Sequence, residues 1–228
     1  MKSILLIIIL SLSACAQFET STFSKEEEKK RIVEAQTQKV ITALQQKPEW
    51  LFTGEVCPAD IMPDVEKKIE YKAAGCADNP DKCLEKCQMD DANACYALSL
   101  LFDEQRGRED ADSQALYLRA CKLGIVSGCT NNAAGKSNIA PNDGKTSKCS
   151  ADTFEKACLK NDSWGCAIYG LALGNGLGRE QNTGEALKVL QKTCSISDSE
   201  SSACQSARKT EELLNKIEQS NKILRKSF

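Results

Sequence analysis

The chain predicts an all-α fold: a short solenoid of αα-hairpins stapled by disulfides, with flanking helices. Three observations carry this expectation. Cysteines recur in pairs eight residues apart, Cys87/Cys95, Cys121/Cys129 and Cys158/Cys166, followed by Cys194/Cys204 ten apart. The first members of these pairs stand 34, 37 and 36 residues from one another, a period typical of stacked helical hairpins. The residues before each first cysteine also recur, in Tyr117-Leu-Arg-Ala-Cys121, Phe154-Glu-Lys-Ala-Cys158 and Leu190-Gln-Lys-Thr-Cys194. Each run places a large apolar residue four before the cysteine, on the same helix face. A small residue follows four after the second cysteine (Ser99, Ala133, Gly170), where a neighbouring helix can approach closely.

Composition narrows the function. The 228 residues include 13 cysteines and no histidine. Ser-His-Asp and Cys-His catalysis and His-bound zinc are therefore excluded. The net charge of -2 gives no general attraction to nucleic acid, and aromatics make up only 5%. No cofactor or metal site is expected: CxxC pairs are absent and the cysteine spacings suit disulfides better than metal ligands.

The elements follow in order. Lys2 precedes a nine-residue apolar run from Ile4 to Leu12, too short for the roughly 30 Å of a bilayer core and shaped like an export signal. Its end, Leu12-Ser13-Ala14-Cys15, resembles the lipobox of bacterial lipoproteins. That resemblance implies cleavage after residue 14 and a lipid on Cys15. Ala16 stands where inner-membrane retention usually has Asp, so the implied address is the outer membrane, facing periplasm or cell surface. Residues 15–23 would be a tether. The region 24–78 is read as helical. Ser24 caps a helix to Gln46 with Ile32, Val33, Val40, Ile41 and Leu44 inward, and a second helix spans Asp60–Ala74 with Val65, Ile69 and Ala73 inward. The repeat array occupies 79–204, opened by a short helix from Asn79 to Gln88. A capping helix over 205–228 turns Leu213, Leu214, Ile217 and Leu224 to one side.

Each C-x7-C should tie the end of one helix to the start of the next and contribute roughly 2–3 kcal/mol in the chain-entropy model. Thirteen cysteines less Cys15 leave an even twelve, which suits a disulfide framework in an exported chain. Cys57, Cys76, Cys83 and Cys149 fall outside the pairs and allow three connectivities. Cys76 with Cys83 is nearest the repeat spacing and would leave Cys57 for Cys149.

The stretch Lys156-Ala-Cys158 through Cys166-Ala-Ile-Tyr-Gly170-Leu-Ala-Leu-Gly174-Asn-Gly176-Leu-Gly178, then Glu185-Ala-Leu187, resembles the Sel1-like repeat, in particular the disulfide-stapled Hcp-like cysteine-rich proteins. The likeness covers about residues 83 to 215. Thr130–Ser147 should begin a repeat but lacks its Leu/Tyr pattern. With Pro141, Asn142, Asp143 and Gly144, it reads as a loop inside a degenerate middle repeat.

The expected function is binding. Stacked hairpins present an extended concave surface, lined mainly by the first helix of each repeat. The contact residues would be Tyr96, Ser99, Leu100 and Asp103 in one repeat, Ile168, Tyr169 and Leu173 in another, and Trp164 in a loop. The partner would be a protein or peptide of the cell envelope. Some Hcp-like relatives carry a penicillin-binding or β-lactamase label, which implies an enzymatic alternative. The sole S-x-x-K here is Ser206-Ala-Arg-Lys209; no S-x-N accompanies it, and Lys145-Thr-Ser147 has Ser where such sites need Gly. A purely structural envelope protein is the third reading. Gly174-Asn-Gly176-Leu-Gly178 lacks the strand and the Lys-Ser/Thr of a phosphate loop and reads as a turn. Asp90-Asp91 and Glu109 to Asp112 read as helix starts.

Overall fold

The computed structural model describes residues 25–51, 54–69, 75–139 and 144–226. The residues expected to form an export signal and tether, Cys15 among them, lie outside these, as do 70–74 and 140–143. Nine α-helices and no strand occur among the described residues, with a six-disulfide framework, as the cysteine spacing predicted. The helices are α1 (25–45), α2 (Pro80–Gln88), α3 (Ala92–Arg106), α4 (Ala111–Lys122), α5 (Val126–Ile139), α6 (Gly144–Leu159), α7 (Ser163–Asn175), α8 (Thr183–Ser195) and α9 (Ser202–Lys226). From α2 onward each packs on its sequence neighbour, and α7 also touches α5 and α9.

Local chemistry starts each helix. Asn79, Asp91, Asp110, Asp162 and Asn182 accept a backbone N–H three residues on, the usual N-cap bond. In three staples the third residue after the first cysteine has positive φ: Asp90 (65°), Gly124 (119°) and Asn161 (63°). One left-handed residue reverses the chain between helices, and Gly and Asn tolerate that conformation best. The disulfides Cys87–Cys95, Cys121–Cys129 and Cys158–Cys166 close over these reversals, and Cys194–Cys204 joins α8 to α9 across a longer turn. Gly176 (φ 71°) ends α7, confirming the glycine-rich turn. A Cβ on Gly178 would stand 2.0 Å from Ser147 O, where the turn lies against the start of α6.

The repeated base before each first cysteine has a repeated task. Arg119 Nε donates to Cys87 O (3.2 Å) and Lys192 Nζ to Cys158 O (2.9 Å), so each binds a terminal carbonyl of the helix one repeat earlier. Lys156 holds the same position but donates to Ala59 O at 2.9 Å.

Four expectations are corrected. Residues 126–139 form a complete helix where a loop was expected over 130–147. Its interior consists of Thr130, Asn131, Asn132, Ala133 and Ala134, all buried, and hydrogen bonds replace the missing Leu/Tyr packing. Asn131 Nδ2 donates to Tyr96 Oη (3.1 Å), Asn132 Nδ2 to Gln114 O (2.8 Å) and Thr130 Oγ1 to Asp162 Oδ2 (2.8 Å). Secondly, the described part of Asp60–Ala74 is not a helix. After a 3-10 turn at Pro58–Asp60 the chain runs as an open strap to residue 69, with Val65 80% exposed. Its backbone groups are taken by side chains and a loop of the array, which removes the need for i to i−4 bonding. Thirdly, Leu213 and Ile217 face outward on α9, whereas Leu214 is buried; the Leu224 side chain lies outside the described residues. Fourthly, Ile32 faces solvent on α1, while Val40 and Leu44 are buried.

Large apolar side chains gather in two clusters. One joins α1 to α4 through Leu44, Leu98, Phe102, Leu116 and Tyr117; the other joins α6 to α9 through Leu173, Leu190 and Leu214. Between them lies only a thin set: Ala133, Ala134, Phe154 and Ala172.

Candidate interaction groove

Two connected depressions open on the side of the first helices. The larger, about 900 Å³, is lined by Tyr96, Leu100 and Asp103 of α3, Asn131 of α5, Trp164 of α7, Arg108, and Glu66, Lys68 and Ile69 of the strap. The smaller, about 380 Å³, is lined by Phe154, Trp164, Ile168, Leu171, Leu177 and Ser206 and again by Arg108. Trp164 and Arg108 belong to both. The space thus reads as one groove with an apolar end, a polar end and a guanidinium at the junction. Each depression by itself falls within the size range of ligand pockets.

The polar end is built from the core outward. Tyr117 is fully buried and donates from its hydroxyl to Asp103 Oδ2 at 2.9 Å. Burial first, then the Asp103 carboxylate, pushes its phenol far above the ordinary value, so it remains a donor. Arg108 Nε stands 3.7 Å from the same Asp103 oxygen, an ion pair longer than a hydrogen bond. Tyr96 packs its ring 5.8 Å from that of Tyr117. At the floor, Asp162 caps α7 through Gly165 N–H (3.0 Å) and accepts Ser127 Oγ (2.7 Å) and Thr130 Oγ1 (2.8 Å). Burial raises its pKa even against these three donors. Glu66 on the strap is raised by partial burial and then by Asp162.

The groove brings together five of the expected contact residues: Tyr96, Leu100, Asp103, Trp164 and Ile168. Leu100 is the most exposed apolar side chain at the polar end, at 37%. Tyr96 is buried, with 7% of its surface exposed. Ser99 is fully buried; its hydroxyl donates to Tyr96 O (2.7 Å) and its carbonyl accepts from Ser113 Oγ (3.0 Å), so it supports the wall instead of facing a partner. Tyr169 and buried Leu173 border a separate charged depression with Lys148, Asp152 and Glu185. There Tyr169 Oη donates to Glu155 Oε1 (3.1 Å) beneath Arg179, which also pairs with Asp152 (2.9 Å) and Glu155. Ser206 borders the apolar end half-buried, while Lys209 is exposed.

Sequence reasoning missed Arg108, Asn131, Glu66 and Lys68. Asn131 lay in a stretch read as loop, and Glu66 and Lys68 on a segment read as a helix elsewhere. Arg108 directly follows the positive-φ Gly107 (φ 90°) in the α3–α4 turn, a position marked by turn chemistry and not by periodicity.

Scanned against models of known families, against curated proteins and against solved structures, the chain matches none.

Proposed function

We propose that this chain is a Sel1-like, lipid-anchored envelope protein whose first-helix groove holds an extended segment of a protein or peptide partner. The groove itself carries the proposal: one tryptophan and one arginine shared between an apolar and a polar depression, on a surface that the disulfides hold in advance. Trp and Arg are the side chains most often found as anchors in interfaces. A disulfide-braced surface loses little conformational freedom on binding. The lipid on Cys15 and the outer-membrane address rest on the Leu-Ser-Ala-Cys15 likeness, the repeat family on the residues around Cys158 to Gly178.

A photo-crosslinker placed at Leu100 in the intact chain tests the reading. Capture of one reproducible envelope protein from Leu100, with much weaker capture from Tyr169, is expected. Equal labelling from both positions, or none above background, refutes the groove. The place of Ser206 on the cavity wall is the one observation favouring the enzymatic alternative. A labelled penicillin that formed an adduct with the chain and not with Ser206→Ala would establish it; the exposed Lys209 leads us to expect no adduct.

A further inference from the structure

The strap is held to the array by a track of polar side chains and by one covalent bond. Along α6 and the residue that follows it, Cys149, Thr153, Lys156 and Lys160 recur at spacings of 4, 3 and 4 and so line up on one side. Cys149 is bonded to Cys57. Thr153 Oγ1 accepts Ala59 N–H (3.1 Å), Lys156 Nζ donates to Ala59 O (2.9 Å) and Lys160 Nζ to Asp64 O (2.9 Å). Lys136 of α5 donates to Val56 O (3.0 Å), and Lys67 N–H donates to Gly124 O (2.9 Å). These contacts are to main-chain atoms. Pro58 and Ala59 are the strap's only buried residues among those described, and Ile69 packs half-buried against the first apolar cluster, so limited apolar area opposes its departure.

Cys57–Cys149 also differs in access. Both its residues are half-buried, whereas each of the other five disulfides has at least one fully buried cysteine. Its 92-residue separation makes it the only long-range link; the others span 7 to 10 residues and join consecutive elements. Opening it therefore removes the strap's one covalent tie to α6 and leaves the hairpin staples intact. Lys156 has an alternative when the strap leaves. Arg119 and Lys192, at the same position in their repeats, bind the first cysteine's carbonyl one repeat earlier; for Lys156 that acceptor is Cys121 O.

We propose that Cys57–Cys149 is a redox latch: its selective reduction by a dithiol releases residues 58–69 from the α6 track and removes the Glu66–Ile69 wall of the groove. One thiolate of the reductant attacks a sulfur of the disulfide and forms a mixed disulfide, and the displaced cysteine takes up a proton. The second reductant thiol resolves the mixed disulfide. Two protein thiols and one oxidised dithiol result, with two electrons transferred. A thiol on Cys57 finds acceptors at once, since its sulfur lies 3.5 Å from Cys149 O and 4.0 Å from Thr153 Oγ1. The effect on the groove rests on the function proposed above; the release of the strap does not.

The oxidised full-length chain is titrated with dithiothreitol, alkylated and mapped by mass spectrometry, and amide exchange is followed in parallel. Cys57 and Cys149 should become alkylated at about tenfold lower dithiothreitol than any other bonded cysteine. Exchange at Ala59 and Lys67 should then rise at least about tenfold, with 126–139 unchanged. The Cys57→Ser/Cys149→Ser variant should show the same exchange without reductant. A staple that opens first or together with Cys57–Cys149 overturns the proposal. So does a strap whose amides stay protected after reduction or in the double variant. Because neither readout needs a partner, failure of the latch and failure of the groove are told apart.

Discussion

Asp162 joins two repeats through one buried carboxylate, and its removal has a calculable cost. It is 7% exposed, caps α7 and receives the hydroxyls of Ser127 and Thr130 from α5. Asp162→Ala removes an N-cap worth about 1 kcal/mol. It also leaves the buried Ser127 hydroxyl without this acceptor, at about 1–3 kcal/mol. Thr130 keeps a fallback, Val126 O at 3.5 Å. The sum is a loss of about 2–4 kcal/mol, reflecting both contributions. Asp162→Asn retains an oxygen for Gly165 N–H and offers an amide to hydroxyls that can turn to accept it, so its cost near neutrality should stay below about 1 kcal/mol.

The two variants also separate charge from shape. Burial raises the Asp162 pKa in the folded chain. The folded state therefore holds this proton more tightly than the unfolded state does. Stability is lost as pH climbs from the unfolded carboxylate value of about 4 through the raised folded value, and no further loss occurs above it. Asn does not titrate. The stability of Asp162→Asn minus that of the parent should rise across that window and then level off. Glu66, raised partly by Asp162, relaxes in the same variant and adds with the same sign. Urea unfolding with the disulfides intact, followed by far-UV circular dichroism from acid to neutral pH, measures both effects. Asp162→Ala within about 0.5 kcal/mol of the parent, or a difference that falls as pH rises, refutes the reasoning.

Arg119 donates to Cys87 O, Trp50 O and Asp90 and lies 4.9 Å from the centre of the Trp50 ring. Arg119→Met should cost about 2–4 kcal/mol by stranding carbonyls, whereas Asp90→Asn should cost under about 1 kcal/mol because Asp90 is 70% exposed; comparable urea midpoints for the two would contradict this. Gly128→Ala places a Cβ 2.8 Å from Tyr117 O and 2.9 Å from Cys121 N, both rigid backbone, and should cost about 1–3 kcal/mol. Gly144→Ala meets nothing within 4 Å and should be neutral or stabilising by up to about 1 kcal/mol. Thermal melts of this pair would show the sign of each.

Cysteine spacing made the hairpin order legible, because a staple eight residues long can only join adjacent elements. The pairing of Cys57 with Cys149 stayed one of three on sequence alone, since a long-range link leaves no local signature. The α5 helix was hidden for a related reason. Residues 126–135 are buried all round with Thr130, Asn131 and Asn132 at their middle, and hydrophobic periodicity is blind to a helix that packs through hydrogen bonds. The strap was misread because Val65, Ile69 and Ala73 recur at helical spacing, while the groups that hold it belong to α6, about ninety residues later. Half of the groove was visible as first-helix residues. The remainder, Arg108 and the strap wall, comes from turns and irregular chain, whose position only the assembled array determines.

The polar interior of α5 bears on how the molecule comes apart. In a linear array, cooperativity is set by the coupling between neighbouring units as much as by the strength of each. Here the junction between the two apolar clusters offers alanines, one phenylalanine and hydrogen bonds. Polar coupling of this kind adds less free energy per contact than apolar burial does. The N-terminal and C-terminal clusters should therefore melt as distinguishable units, with α5 the boundary across which their transitions are joined.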